Sequence, residues 1–191
     1  MSGSRPAGLA VVAAVLALGL GACSAKPAPA AKPSPAGPSC LTGASAPPGS
    51  DAALRAVALT CFAGGGEARV TDLQAPTVVN LWASWCSPCL EELPAVQRYA
   101  DRAKGSVAVV GVVTRDHRDT AQTVIDEKKL TFPMLEDQQQ RLLVAVNRNA
   151  LPVTLFVTAD GRIAYIYNGT ALDEASLELM VERYLGVVVP R

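Results

Sequence analysis

A β-prone, mostly apolar run, Val78-Val79-Asn80-Leu81-Trp82-Ala83-Ser84-Trp85, ends directly in Cys86-Ser87-Pro88-Cys89. Two cysteines separated by two residues serve one half of a zinc site, a haem attachment site or a dithiol. A four-cysteine zinc site needs a second close pair, and Cys23, Cys40 and Cys61 lie far apart. Haem attachment needs a histidine directly after the second cysteine, where this chain has Leu90. What remains is a dithiol placed where a buried strand becomes a helix, with a purely structural pair as the competing reading. Pro88 suits the first helical turn, where its missing N–H has no partner to lose. The free N–H groups and the dipole at that helix end stabilise a thiolate over a thiol. Cys86 is therefore the expected nucleophile. Cys89, one turn further in and shielded by its own helix, is the expected resolving thiol. Neither a metal site nor a cofactor is expected.

The front of the chain reads as an address. After Arg5 comes the apolar stretch Leu9 to Leu20, too short and too interrupted by glycine for a comfortable membrane span, and suited to a signal peptide over residues 1–22. Leu20-Gly21-Ala22-Cys23 resembles a bacterial lipobox, in which Cys23 would be lipidated and become the mature N-terminus; a plain secretory signal is the alternative. Several acyl chains on one residue give stable anchoring where a single chain is marginal. From there to Ser50 the chain is mainly Ala, Pro, Ser and Gly and cannot bury a core. Seven of the fourteen prolines fall in this stretch, so residues 23–50 read as a semi-stiff tether and residues 51–191 as the folded domain. Acidic and basic residues balance at 17 each, which gives no pointer to nucleic acid.

With Cys23 lipidated and Cys86 paired to Cys89, Cys40 and Cys61 are left over in a compartment where disulfides persist. They are expected to form a structural bridge. A second redox pair is the sharper alternative, but neither residue has a helix start or a flanking tryptophan to activate it.

Along the domain, Gly64-Gly65-Gly66 reads as a turn and Arg69 to Leu73 as a short edge strand. Helices are expected over Cys86 to Lys104, bent at Pro94, then over Asp119 to Lys129 and Asp137 to Val146. Ser106 to Val113 is a continuous Val-rich run, the pattern of a strand covered on both faces. Val153 to Thr158 and Arg162 to Asn168 form a hairpin through Ala159-Asp160-Gly161. A last helix, capped by Thr170 or Asp173, turns Leu177, Met180, Val181 and Tyr184 inward and stops at Gly186. Alternating strands and helices closed by a hairpin imply an α/β fold with a central sheet covered on both sides.

The segment Trp82-Ala83-Ser84-Trp85-Cys86-Ser87-Pro88-Cys89, with Glu92, Pro94 and the later Leu151-Pro152-Val153-Thr154, resembles the thioredoxin fold. More narrowly it resembles the extracytoplasmic thiol-disulfide oxidoreductases of the TlpA/ResA type, over about Cys61 to Gly186. The resemblance implies a central mixed β-sheet flanked by helices on both faces, with a cis peptide before Pro152. It also implies a substrate groove formed by Trp85, Ser87, Pro88, Leu151 and Pro152. Where cytoplasmic thioredoxin has a buried Asp, this chain has Asn80; the resemblance instead assigns proton exchange with Cys89 to Glu92, with Glu91 left as a helix-start acid. Asn147-Arg148-Asn149-Ala150 departs from the aromatic-Gly turn usual before the proline loop and puts the groove's specificity in question.

The resemblance further implies client protein disulfides as substrates, apocytochrome c among them, and a membrane electron donor of the CcdA/DsbD kind. A monomer is expected, anchored to the outer face of the cell membrane. The sole histidine, His117, reads as a surface residue; it matters for a rival class, the copper-binding metallochaperones of thioredoxin fold, whose cysteines are spaced three apart. The other alternative is an oxidant that makes disulfides. Ser87-Pro88 supplies no cation to the Cys86 thiolate, so a reductant with a potential below about −200 mV is expected.

Overall fold

The computed structural model describes residues 40–41, 46–64 and 66–190. The expected signal peptide, the lipidated Cys23 and most of the expected tether lie outside the described residues.

The chain opens with a short helix α1 (Ala52–Ala56) and two short strands, β1 (Leu59–Cys61) and β2 (Glu67–Ala68). Then come β3 (Thr77–Trp82), α2 (Ser87–Arg102), β4 (Ala108–Thr114) and α3 (Arg118–Glu127). The second half is β5 (Met134–Asp137), α4 (Arg141–Ala145), β6 (Val153–Val157), β7 (Ile163–Tyr167) and α5 (Glu174–Leu185). Among the described residues the strands form one sheet in the order β2-β1-β5-β4-β3-β6-β7. The central β3, β4 and β5 run parallel, and the strands outside them pair antiparallel, so the sheet is mixed.

Every residue of β3 is buried, because helices cover both faces. The strand's period of two sends Val78 and Trp82 into one core and Val79 and Leu81 into the other. The first core takes Leu93 and Val96 from α2, Ala121 and Ile125 from α3, and Leu177 and Val181 from α5. The second takes Leu54 from α1 and Leu142 and Leu143 from α4. β4 has Gly111 opposite Met134 of β5, and the Met134 and Phe132 side chains fill the space a Cβ at that glycine would take, so a larger residue there would have to displace them.

Two sequence expectations are corrected. Arg69 to Leu73 is not a strand: the pairing stops at Ala68, and Val70–Leu73 winds into a 3₁₀ turn closed by the Asp72 carboxylate accepting the Arg69 N–H at 2.9 Å. Asp137 does not begin a helix; it ends β5, and its carboxylate accepts the N–H groups of Arg141 and Leu142 at 2.8 Å each, capping the shorter α4. Cys40 and Leu41 pack against the second core, and Ser50 is buried where Asp51 N–H donates to the Gly161 carbonyl at 2.8 Å. α2 runs through Pro94 to Arg102, and α5 ends where Gly186 takes a left-handed conformation with φ 68°.

Candidate active site

Cys86 is the N-cap of α2, and its Sγ accepts the Cys89 N–H at 3.3 Å. Pro88 sits in the first turn, where it costs no hydrogen bond. The two cysteines form a disulfide with Cα atoms 5.2 Å apart. Cys86 is 5% exposed and Cys89 not at all, so a thiol or disulfide arriving from solvent can reach only the first sulfur. The helix end gives that sulfur a hydrogen-bond donor and the positive end of the dipole.

Three loops surround the pair. In the first, Leu151–Pro152 is cis, and the pairing of Leu81 with Val153 places Pro152 level with Trp82, at the same end of the sheet as Cys86. Asn168 Nδ2 pins this turn by donating to the Pro152 and Ala150 carbonyls at 2.7 and 3.2 Å. Pro152 itself is buried, and Leu151, half-buried and touching both cores, is what the loop presents. The second loop carries exposed Trp85 and Ser87 and half-buried Pro88. The third, Arg115 to His117, holds the second: Trp85 Nε1 donates to the Arg115 carbonyl at 2.9 Å, and the buried Asp116 carboxylate accepts Ser84 N–H at 2.5 Å and Ser84 Oγ–H at 2.8 Å. Thr120 Oγ1 donates to the same carboxylate at 3.0 Å. Sequence reasoning treated this third loop as polar surface and missed Asp116. Its partner Ser84 is 32 residues away along the chain, and no local pattern marks it.

Glu92 lies one turn beyond Cys89 in the same core, with no exposed surface. Its Oε1 accepts Asn80 Nδ2–H at 2.6 Å and its Oε2 accepts the Leu172 N–H at 3.1 Å. Burial pushes the carboxyl up from its ordinary 4.5; the Leu172 N–H and the Asn80 amide pull the other way without cancelling it. A carboxyl poised upward in this way is suited to take a proton and return it. Tyr99, in the same core, is pushed up to about 12 by burial. His117 is exposed at the start of α3, and Glu91 is exposed on α2.

Cys40 and Cys61 form a second disulfide, 21 residues apart in sequence, with Cα atoms 5.4 Å apart. It belongs to the core on the far face of the sheet from Cys86 and Cys89.

Residues 51–166 match the family model described as the AhpC/TSA family. The chain belongs to the AhpC/TSA family. Within that family it is 30% identical over 128 residues to the thiol-disulfide oxidoreductase ResA of Geobacillus kaustophilus, covering 66% of this chain and 71% of that protein. It is 25% identical to the ResA of Bacillus subtilis, covering 66% of this chain and 69% of that one. Among solved structures it resembles a secreted Mycobacterium tuberculosis disulfide oxidoreductase homologous to E. coli DsbE, with a TM-score of 0.62 and 26% identity over 70% of this chain and 99% of that one. This AhpC/TSA-family chain thus has the expected thioredoxin fold, with helices on both faces of a mixed sheet, and is a thiol-disulfide oxidoreductase built on Cys86 and Cys89.

Proposed function

We propose that this protein is an extracytoplasmic, lipid-anchored thiol-disulfide oxidoreductase that reduces client protein disulfides. The observation that carries the reading is the asymmetry of the pair: Cys86 caps a helix and touches solvent, while Cys89 is sealed beneath it beside a buried carboxyl. In the reduced protein the Cys86 thiolate attacks one sulfur of a client disulfide. That S–S bond breaks, a mixed disulfide forms through Cys86, and the client's other sulfur leaves as a thiolate and takes a proton from water. Cys89 then gives its proton to Glu92 and attacks Cys86 Sγ. The client's second sulfur leaves Cys86 as a thiolate and takes the proton that Glu92 returns, so the client departs with both thiols reduced and the protein is left with the Cys86–Cys89 disulfide, having passed on two electrons. A dithiol on a membrane electron donor, of the CcdA/DsbD kind by resemblance, must restore it. Apocytochrome c is the client class that the same resemblance supplies.

The client chain is expected to lie across Trp85, Ser87, Pro88 and Leu151. Asn168 occupies the carbonyls on either side of Leu151, and strand-like pairing of the client with the Leu151 backbone is expected. Cys40–Cys61 is assigned a structural role, and Cys23 the lipid anchor on the strength of Leu20-Gly21-Ala22-Cys23. The metallochaperone reading finds less support: that class has three residues between its cysteines, whereas Cys86 and Cys89 have two residues between them.

The direction of electron flow is tested by equilibrating the purified domain with glutathione and dithiothreitol buffers. A potential below about −200 mV is expected, and one near about −120 mV would make the protein an oxidant instead. Labelling with palmitate is expected to mark Cys23 and place the protein in the membrane fraction; soluble, unlabelled protein would refute the anchor.

A further inference from the structure

Beneath the dithiol, Asn80 and Thr154 face one another across the β3–β6 ladder. Asn80 Nδ2 donates twice, to Glu92 Oε1 at 2.6 Å and to Thr154 Oγ1 at 3.2 Å. Both Glu92 oxygens accept, as an ionised carboxylate requires. A protonated Glu92 has an O–H to place, and an NH₂ group facing Oε1 cannot receive it. The same buried amide has its oxygen on the other side: among the described residues, Asn80 Oδ1 has no hydrogen-bond partner. Half a turn of the amide brings Oδ1 to the position of Nδ2. It then accepts from the Glu92 O–H and from the Thr154 hydroxyl, which donates as readily as it accepts. Glu92 and Thr154 keep the same number of hydrogen bonds to the amide, the threonine hydroxyl reverses direction, and the NH₂ group takes over the place where Oδ1 had no partner. An aliphatic side chain in place of Asn80 would offer Glu92 a partner in neither state.

We propose that Asn80 and Thr154 are positioning residues that form an amide switch, keeping Glu92 hydrogen-bonded both as carboxylate and as carboxylic acid while it takes up and returns the Cys89 proton. This deepens the proposed role of Glu92 and rests on it. The ionisable groups on the elements packed around the carboxyl leave it alone with this amide. β3 and β6 carry none. On α2 and its N-cap there are Cys86, Cys89, the exposed Glu91, the buried Tyr99 two turns further on, and Arg98, Asp101 and Arg102 toward the far end. At the start of α5, Asp173 caps its own helix through Ser176 N–H, and Glu174 pairs with Arg98 and Arg102. The influences on Glu92 are burial, the Leu172 N–H and the Asn80 amide.

The deciding experiment is a pH titration of the oxidised wild-type protein by NMR, following the Glu92 carboxyl carbon together with contacts from the Asn80 NH₂ protons. Above the Glu92 midpoint, Asn80 NH₂ contacts to the Glu92 and Thr154 side chains are expected, and below it both should vanish with the same midpoint. Contacts that persist unchanged through the midpoint overturn the switch. This readout involves no catalysis, so it stands or falls separately from the role of Glu92, which client release by Glu92→Gln tests. In Asn80→Leu the charged form loses its donor and the acid form its acceptor; the charge-assisted bond is the stronger of the two, so the Glu92 midpoint should rise, by at most about one pH unit. Thr154→Val should slow client release about fivefold, with Thr154→Ser restoring it, since only the hydroxyl is used. An unmoved midpoint in Asn80→Leu, or failure of serine to rescue, also counts against the switch.

Discussion

The molecule holds two disulfides on opposite faces of one sheet, and they differ in everything but the bond. Cys86–Cys89 encloses two residues and lies within a single helix start, so opening it releases almost no chain. Cys40–Cys61 spans 21 residues and ties a segment with few apolar residues to the end of β1. The first pair has a backbone N–H aimed at its outer sulfur and an exposed tryptophan next to it. The second has Cys61 buried at the end of a strand, with no helix start beside it among the described residues. A disulfide becomes a reagent when its thiolate is stabilised and one sulfur is reachable. It becomes a staple when it closes a long loop and is kept out of reach.

The largest effect that divides the two pairs should come from the first. Cys86→Ser is expected to abolish exchange with client disulfides, by at least about a thousandfold, while Cys89→Ser should accumulate mixed disulfides through Cys86 because attack proceeds and resolution does not. Equal trapping by both variants, seen on non-reducing gels, would break the assignment of roles.

Glu92→Gln sharpens the contrast by removing the proton acceptor that only the first pair possesses. Client release at neutral pH should slow about a hundredfold. Stability should move the other way. Because burial raises the folded-state value, the carboxyl's contribution is complete below the unfolded value of 4.5 and is lost as pH rises through the folded value. Glu92→Gln should therefore exceed wild type in denaturant midpoint at neutral pH and lose that advantage toward pH 4.5. A variant no more stable at neutral pH would contradict the burial argument.

Replacing both Cys40 and Cys61 by alanine should cost about 3 kcal/mol of unfolding free energy in urea titrations and leave exchange within about twofold. Loss of exchange with the fold intact would turn the staple into a second reagent. The smallest effect is expected from Asp116→Ala, which frees the Ser84–Trp85 loop: about fivefold in client exchange, with the potential of the dithiol unchanged.

The parts legible in the sequence were those in which chemistry and local periodicity coincide. The apolar strand before Cys86 announces burial on both faces, Pro88 marks the helix start, and Asp173 and Gly186 bracket α5 as capping rules require. β5 was lost because Met134-Leu135-Glu136-Asp137 is too short to show a period and ends in a residue whose other use is to cap α4. Arg69 to Leu73 alternates like a strand, yet a local Asp72 hydrogen bond outcompetes a ladder that has no room to continue. Glu92 was legible by its place after the dithiol. That Asn80, Thr154 and Leu172 would meet it was not, since those contacts depend on strand register and on a loop 80 residues away.

The placement of the two tryptophans has an optical consequence. Trp82 is sealed in the core that holds the Cys86–Cys89 bond, whereas Trp85 stands 60% exposed on the loop before it. An excited indole readily passes an electron to a neighbouring disulfide and less readily to a pair of thiols. The blue-shifted emission of Trp82 should therefore brighten when the bond opens, while the red-shifted emission of Trp85 responds when a client covers that loop. With only these two indoles in the chain, redox state and occupancy are written in separate parts of one spectrum, and the unlabelled protein reports on its own turnover.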